Sequence, residues 1–194
     1  MKENIRVIDT IKELDEIEMD GGGIVPYSIH RGKIYFLLGR ETLDIKWEES
    51  GMWADFSGTR EKNEKNIDCI IREFQEETNG FFGEKSIIKK KIIRKQNNII
   101  IYNLNYKNII IFYKIAYDKR LISYYNDSYN FLTKSIQKIS NKNMNEINKN
   151  GLFEKDKMEY FEFNKNILDM NLRDCIRQSL NYMLKNNKKI IKNL

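Results

Sequence analysis

Apolar residues recur along this chain with two different periods, and the change of period marks out its elements. Residues 24–28 (Ile-Val-Pro-Tyr-Ser) and 33–40 (Lys-Ile-Tyr-Phe-Leu-Leu-Gly-Arg) are β-branched and aromatic runs on either side of Arg31-Gly32. That arrangement predicts a β-hairpin or two adjacent strands. Gly21-Gly22-Gly23 precedes the first run. The polar stretch 41–51 predicts a loop or short insertion, and residues 52–56 a short strand that Gly58 ends. From Ile67 the period lengthens: Ile67, Ile70, Ile71 and Phe74 fall at i, i+3, i+4 and i+7, one apolar face of a helix over residues 67–78. Asn79-Gly80 stops it.

Further on, apolar runs at 87–93 and 109–117 predict strands joined by a polar, Asn-rich connection that includes Asn97 and Asn98. Asp127 or Ser128 is placed to cap a helix running to about residue 141. Residues 141–150 read as a polar loop, 158–163 as a strand, and 171–185 as a final helix with Leu172, Ile176, Leu180 and Met183 on one side. There is no internal repeat and no linker. Strands mixed with a few helices predict an α/β or α+β sandwich in a single domain over residues 1–194, ending in a basic C-terminal helix and tail.

Composition narrows the classes. With 41% hydrophobic residues and no long uninterrupted apolar run, the expectation is a soluble globular protein with no membrane span. The N-terminal Met-Lys-Glu-Asn-Ile lacks the run of a signal peptide, which predicts a cytoplasmic or otherwise intracellular location. Cys69 and Cys175 are too few for a disulfide framework or zinc site and read as small buried hydrophobes. The single histidine, His30, stands in a turn, which argues against histidine-dependent metal sites and Ser-His triads. The formal charge of +6 draws on Lys89, Lys90, Lys91, Arg94 and Lys95 and on Lys185, Lys188, Lys189 and Lys192. It points to a polyanionic partner, RNA among them, or to a merely solvated tail. Oligomeric state leaves no trace in the sequence.

Chemistry enters with the helix at 67–78. Glu73, Glu76 and Glu77 sit at i, i+3 and i+4, so three carboxylates share one face. Like charges at these spacings repel by a few tenths of a kcal/mol per pair, and a divalent cation would reverse the sign. Hard oxygen ligands of this kind suit Mg2+ or Mn2+.

The surrounding spacing is more specific. Gly58 is followed after five residues by Glu64, and after seven more by Arg72-Glu73-Phe74-Gln75-Glu76-Glu77. This resembles the box of the Nudix hydrolase superfamily. The departure is at the end, where Asn79 takes the glycine position and Gly80 the apolar one, with Phe81 beyond; a one-residue slip of the turn would restore Gly-Phe, and asparagine tolerates the left-handed conformation such a cap needs. The resemblance implies an α/β/α sandwich with a mixed central sheet, and metal-dependent hydrolysis of a nucleoside diphosphate linked to another moiety. It implies Glu76 and Glu77 as Mg2+ or Mn2+ ligands, Glu73 as ligand or base, and the Gly58 carbonyl as a further ligand. Arg72 and Glu64 would pair to hold the loop on the helix.

Members of that family often recruit an acid from outside the box as catalytic base or extra metal ligand. Glu154 occupies the customary place, with Glu159 and Asp118 as alternatives. Arg40 and Arg60 are candidates for substrate phosphates, and Trp53 for stacking on a base or for core packing. The box does not encode the substrate. A nucleotide or nucleotide derivative comes first. Cleavage of the 5′ cap of RNA comes second, since no separate domain is available to bind an RNA body. A Nudix-fold module that binds nucleotide or RNA without catalysis comes third, because such modules usually lack a box glutamate and all three are present.

Overall fold

The computed structural model describes residues 4–43, 46–94, 98–140 and 154–186. In chain order the elements are β1 (Ile5–Ile8), α1 (Ile11–Glu16), β2 (Gly21–His30), β3 (Lys33–Glu41), β4 (Trp53–Ala54), β5 (Phe56–Thr59), α2 (Asn66–Glu77) and α3 (Lys85–Ile93). There follow β6 (Ile99–Asn103), β7 (Asn108–Lys114), α4 (Lys119–Ser140), β8 (Lys155–Glu162), a 3-10 turn at Lys165–Asp169 and α5 (Asp174–Lys185).

The strands form one mixed sheet in the order β1-β6-β7-β2-β3-β4, with β5 added to β2 and β8 to β3. β2 runs parallel to β7 and antiparallel to β3 and β5. Along one edge β2 pairs with β5 over Gly21–Ile24 and with β3 from Tyr27 onward. Pro26 lies in the gap between these ladders, where its missing N–H interrupts neither of them. The β2–β3 turn places Arg31 and Gly32 at φ 50° and 74°, as a two-residue hairpin requires.

Alternation along the strands feeds two cores. In β7, Ile109 and Ile111 face one side and Ile110 and Phe112 the other; in β3, Leu37 opposes Phe36 and Leu38. A sheet apolar on both faces must be covered on both. α1, α2, α3 and α4 contribute to the first core, while the 3-10 turn (Ile167), the link after it (Leu172) and α5 (Ile176, Leu180 and Met183) cover the second. The fold is therefore a mixed α+β sandwich, helices on either side of a mixed sheet. Among the described residues no helix is long and apolar enough to cross a membrane.

Several local expectations are corrected. Residues 87–93 belong to helix α3 and not to a strand: Ile88 and Ile92, four apart, are buried, while Ile87 and Ile93 are exposed. The connection expected before residue 109 contains β6, whose Ile99, Ile100 and Ile101 are buried between β1 and β7. Helix α4 begins at Lys119, well before Asp127 and Ser128, with Asp118 Oδ1 accepting from the Arg120 N–H. Residues 52–56 split into β4 and β5, and β5 continues through Gly58 to Thr59. Neither β1 nor α1 was anticipated. The loop at 141–150, together with Lys95, Asn97, Lys188, Lys189 and Lys192, lies outside the described residues.

Candidate active site

Helix α2 is fixed at both ends by contacts that leave its acidic face in place. Its N-cap position, Lys65, makes no side-chain cap bond. Instead Asp15 of α1 accepts from the Ile67 N–H at 3.1 Å, and the Asn66 side-chain amide donates to the carbonyls of Leu14 and Ile17, each at 2.7 Å. Those contacts satisfy helix-end groups that would otherwise be orphaned. On the inner face Ile67, Ile70, Ile71 and Phe74 are buried. At roughly 1.5–3 kcal/mol per side chain, this burial outweighs the few tenths of a kcal/mol that the clustered glutamates cost. Gly22 makes the close approach to the sheet possible: a Cβ there would stand 2.8 Å from Ile70 Cγ1.

The C-terminus of α2 explains the irregular end of the motif. Asn79 adopts φ 50° and Gly80 φ 72°. The Asn79 N–H donates to Glu76 O at 3.0 Å and the Gly80 N–H to Gln75 O at 2.9 Å, the paired bonds of a Schellman cap. The turn has not slipped, and asparagine itself takes the left-handed position. Because glycine occupies that region without a Cβ penalty, Asn79→Gly is expected to stabilise the fold by about 0.5–1 kcal/mol in urea unfolding.

Arg72 organises the acids. It clasps Glu64 with two bonds of 2.9 Å, donates to Glu73 Oε1 at 2.6 Å and to Glu76 Oε2 at 3.2 Å, and reaches the Thr59 carbonyl at 3.1 Å. The guanidinium holds the Glu64 carboxyl below its usual range. A depressed carboxyl stabilises the folded state above its unfolded pKa and loses that contribution as pH falls through the folded value. Acid unfolding monitored by fluorescence should therefore steepen below about pH 4 in the parent, and Glu64→Gln should flatten that limb. Burial acts in the opposite sense on Glu73, raising its pKa against the pull of Arg72, with Glu76 and Glu154 adding repulsion.

Gly58 meets Glu73 directly. A Cβ on Gly58 would fall 2.3 Å from Glu73 Oε2, and the Gly58 carbonyl oxygen would be 2.5 Å from a Cβ on Gly21. What the geometry shows of Gly58 is therefore space for the Glu73 carboxylate. Gly58→Ala is expected to leave the protein folded and to displace that carboxylate, lowering any activity that depends on it by about tenfold or more, read as a fall in kcat.

Glu77 is enclosed. Its Oε1 lies 3.0 Å from Lys155 Nζ, which in turn is 2.5 Å from Glu41 Oε1, and all three side chains are essentially inaccessible. Arg173 reaches the same Glu41 oxygen at 3.1 Å and Glu49 at 2.7 Å. Desolvation raises the Glu77 pKa well above the ordinary carboxylate value despite Lys155. Burial alone would lower the Lys155 pKa, yet Glu77 and Glu41 drive it upward. Glu77 Oε2 is buried without a hydrogen-bond partner. Lys155, Glu41, Arg173 and Asp15 were not anticipated as parts of this site. The polar run Glu154-Lys155-Asp156-Lys157 carries no signal of burial.

Glu154 is exposed and pinned through its backbone: its carbonyl accepts from the N–H and the hydroxyl of Thr42, each at 2.8 Å. Its charge raises the pKa of both Glu73 and Glu77, which places it beside the acidic face. The alternative acids are engaged elsewhere, Glu159 with Lys157 at 2.8 Å and Asp118 with Arg120 at 2.9 Å.

The candidate substrate contacts are likewise committed. Arg40 makes a two-bond pair with Asp156 at 2.7 and 3.0 Å. Arg60 donates to the carbonyls of Met19 and Glu64, each at 3.1 Å, and thereby ties down the loop after β5. Trp53 is buried in the second core, edge-on to Phe161 at 4.8 Å, so its ring serves packing and not stacking on a ligand. His30 ends β2 and stacks on Tyr117 at 4.2 Å. Cys69 is buried, its thiol pushed up to about 12 by desolvation.

Glu41, Glu64, Glu73, Glu76 and Glu77 thus share three cations, Arg72, Lys155 and Arg173, while the Glu154 carboxylate adds charge beside them. Among the described residues no three acids already converge as ready ligands; the carboxylates are turned onto Arg72 and Lys155. The donor set nevertheless fits a hard divalent cation. It is all oxygen and in charge excess, and it includes the unpartnered Oε2 of Glu77.

No family model matches the sequence. An uncharacterized protein of Acanthamoeba polyphaga mimivirus, L534, is 30% identical over 141 residues, which make up 62% of this chain and 44% of that protein. The chain thus spans less than half the length of this relative. Among solved structures, the Nudix hydrolase RenU of M. smegmatis overlays with a TM-score of 0.48 at 9% identity, covering 89% of this chain and 88% of the other. A mutT/nudix family protein from Listeria innocua gives 0.46 at 12% identity over 91% and 99% of the two chains. A C. elegans Ap4A hydrolase binary complex gives 0.45 at 15% identity over 91% and 100%.

Proposed function

We propose that this protein is a pyrophosphohydrolase dependent on Mg2+ or Mn2+, cleaving a nucleoside diphosphate linked to another moiety. The observation that carries the reading is the gathering of Glu73, Glu76, Glu77 and Glu154 on and beside one helix, in charge excess over the cations that hold them. Glu76, Glu77 through Oε2, and Glu154 or Glu73 would hold the cation. When bound, it would supply Lewis acidity toward a phosphate oxygen and lower the pKa of a water.

The remaining work falls to the chain. Glu73, raised by burial, is suited to take a proton from the attacking water as the P–O–P bond breaks and the second phosphate leaves. Arg72 orients Glu73 and Glu76, Glu64 orients Arg72, and Lys155 holds Glu77 in register. Arg72 is in this reading a positioning residue, since its bonds are spent on carboxylates.

The test is incubation of the protein with Mg2+ or Mn2+ and dNTPs, ADP-ribose, dinucleoside polyphosphates or capped RNA, with products resolved by chromatography. Release of a nucleoside monophosphate from at least one compound supports the reading. If the capped RNA alone is cleaved, the enzyme is a decapping hydrolase. Absence of cleavage across the panel at any metal concentration refutes the enzyme and leaves a binding module.

A further inference from the structure

A second concave site lies on the helical side of the sheet, between the loop after α2, the end of α3, the end of β7 and the start of α4. It encloses about 740 Å³, within the range of small-molecule sites, and none of the acids of α2 lines it. Its walls combine two chemistries. Phe81 and Tyr124 present aromatic faces that are 36% and 56% exposed, so both rings have surface to offer a ligand. Lys91, Arg94 and Lys114 bring three cations. Lys91 and Arg94 have no ion-pair partner among the described residues, whereas Lys89 on the same helix is spent on Asp68. The one acid in the wall, Asp118, is neutralised by a two-bond pair with Arg120 at 2.9 and 3.0 Å.

We propose that this cavity binds a nucleoside phosphate, with the base against Phe81 and Tyr124 and the phosphates on Lys91, Arg94 and Lys114. Exposed aromatic rings are stacking platforms for a base, and Lys91 and Arg94 beside them supply the phosphate contacts. A purely apolar ligand would leave Lys91 and Arg94 uncompensated, and inorganic phosphate would leave the rings uncovered. The proposal does not rest on the hydrolase reading, because binding here needs neither the acidic helix nor a metal. The two sites are physically linked all the same. The Tyr125 hydroxyl, beside Tyr124, lies 3.1 Å from the Glu77 carbonyl and 2.9 Å from that of Lys155, its one proton shared between them, and Phe81 packs edge-on against the Tyr125 ring at 5.5 Å.

The experiment is calorimetric titration of the full chain with ADP in EDTA, which suppresses turnover, alongside adenosine, tripolyphosphate and a single-stranded oligonucleotide. ADP should bind more tightly than adenosine or tripolyphosphate. A Lys91→Ala/Arg94→Ala variant should lose roughly tenfold in ADP affinity, and Tyr124→Ala a similar factor for ADP with little change for tripolyphosphate. These residues are exposed, so circular dichroism of both variants should match the parent. The proposal is overturned if ADP does not bind, if it binds both variants as it binds the parent, or if only the oligonucleotide binds.

Discussion

Lys155→Met is expected to destabilise the protein by roughly 3–5 kcal/mol, the cost of leaving buried charges without their partner. The lysine ammonium lies between Glu41 and Glu77 at 2.5 and 3.0 Å, and both carboxylates are almost wholly buried. The stem packs over Gly39, where any Cβ would come within 2.8 Å of Lys155 Cγ. Methionine keeps the stem and removes only the charge, so the loss measured by urea unfolding reports electrostatics. Adding Glu77→Gln to this variant should recover part of the loss, and a double-mutant cycle would return a coupling of about 1–3 kcal/mol. The pH dependence has a definite sign. The Glu77 pKa is already raised by burial and would rise further without Lys155. The folded variant then binds a proton more tightly than the unfolded chain, and its stability increases as pH falls through the folded value. Equal stability of Lys155→Met and parent would show that the triad is not the buried unit described.

The second large effect concerns Glu76→Gln. Glu76 is the most accessible of the three box acids, 30% exposed, and its hold on Arg72 is the longest of that residue's carboxylate bonds at 3.2 Å. Losing its charge should leave the fold within about 0.5 kcal/mol of the parent, since the side chain is half-buried and its one ion pair is long. Turnover of whichever compound the parent cleaves should fall by roughly 100-fold or more, since removing about 3 kcal/mol of charge stabilisation from the transition state has that consequence. Activity within a factor of two of the parent would remove Glu76 from the site. Glu73→Gln should be as damaging to kcat, while its pH profile, limited by a carboxyl that burial raises, would lose its acid limb.

How much of this was legible in the sequence depends on how locally each feature is encoded. Helix α2 was legible because its apolar period and its carboxylate spacing agree, and both lie within four turns. The hairpin at Arg31-Gly32 was legible because a two-residue turn needs left-handed residues and bears their signature. Helix α3 was not, since the doublets Ile87-Ile88 and Ile92-Ile93 around three lysines fit a strand as readily as a helix. Only packing of Ile88 and Ile92 against α2 and the sheet decides between them. β6 was hidden by the asparagines before it. The start of α4 was misplaced because Asp127 looks like a cap but sits on an exposed face of the continuing helix.

The site divides the same way. The sharing of one helix face by Glu73, Glu76 and Glu77 was legible from spacing, and Arg72 and Glu64 pair as the resemblance implies. Lys155 was not, because a lysine surrounded by charged neighbours in sequence reads as exposed. Its burial follows only when β8 pairs with β3 through the irregularity at Arg40 and Glu41. Arg40, Arg60 and Trp53 were plausible from residue type, but their partners come from distant segments: Asp156, Met19 and Phe161. The Asn79 cap needed the observed φ to show that asparagine holds the glycine position without a slip.

The central claim is that the acids of α2 with Glu154 bind a divalent cation. It is tested most directly by titrating the metal-free protein with Mn2+ and following free Mn2+ by electron paramagnetic resonance. The expected result is saturable uptake by the parent that weakens by roughly tenfold or more in Glu76→Gln, with Mg2+ competing for the same site. Absence of saturable uptake, or identical uptake by parent and variant, would contradict it.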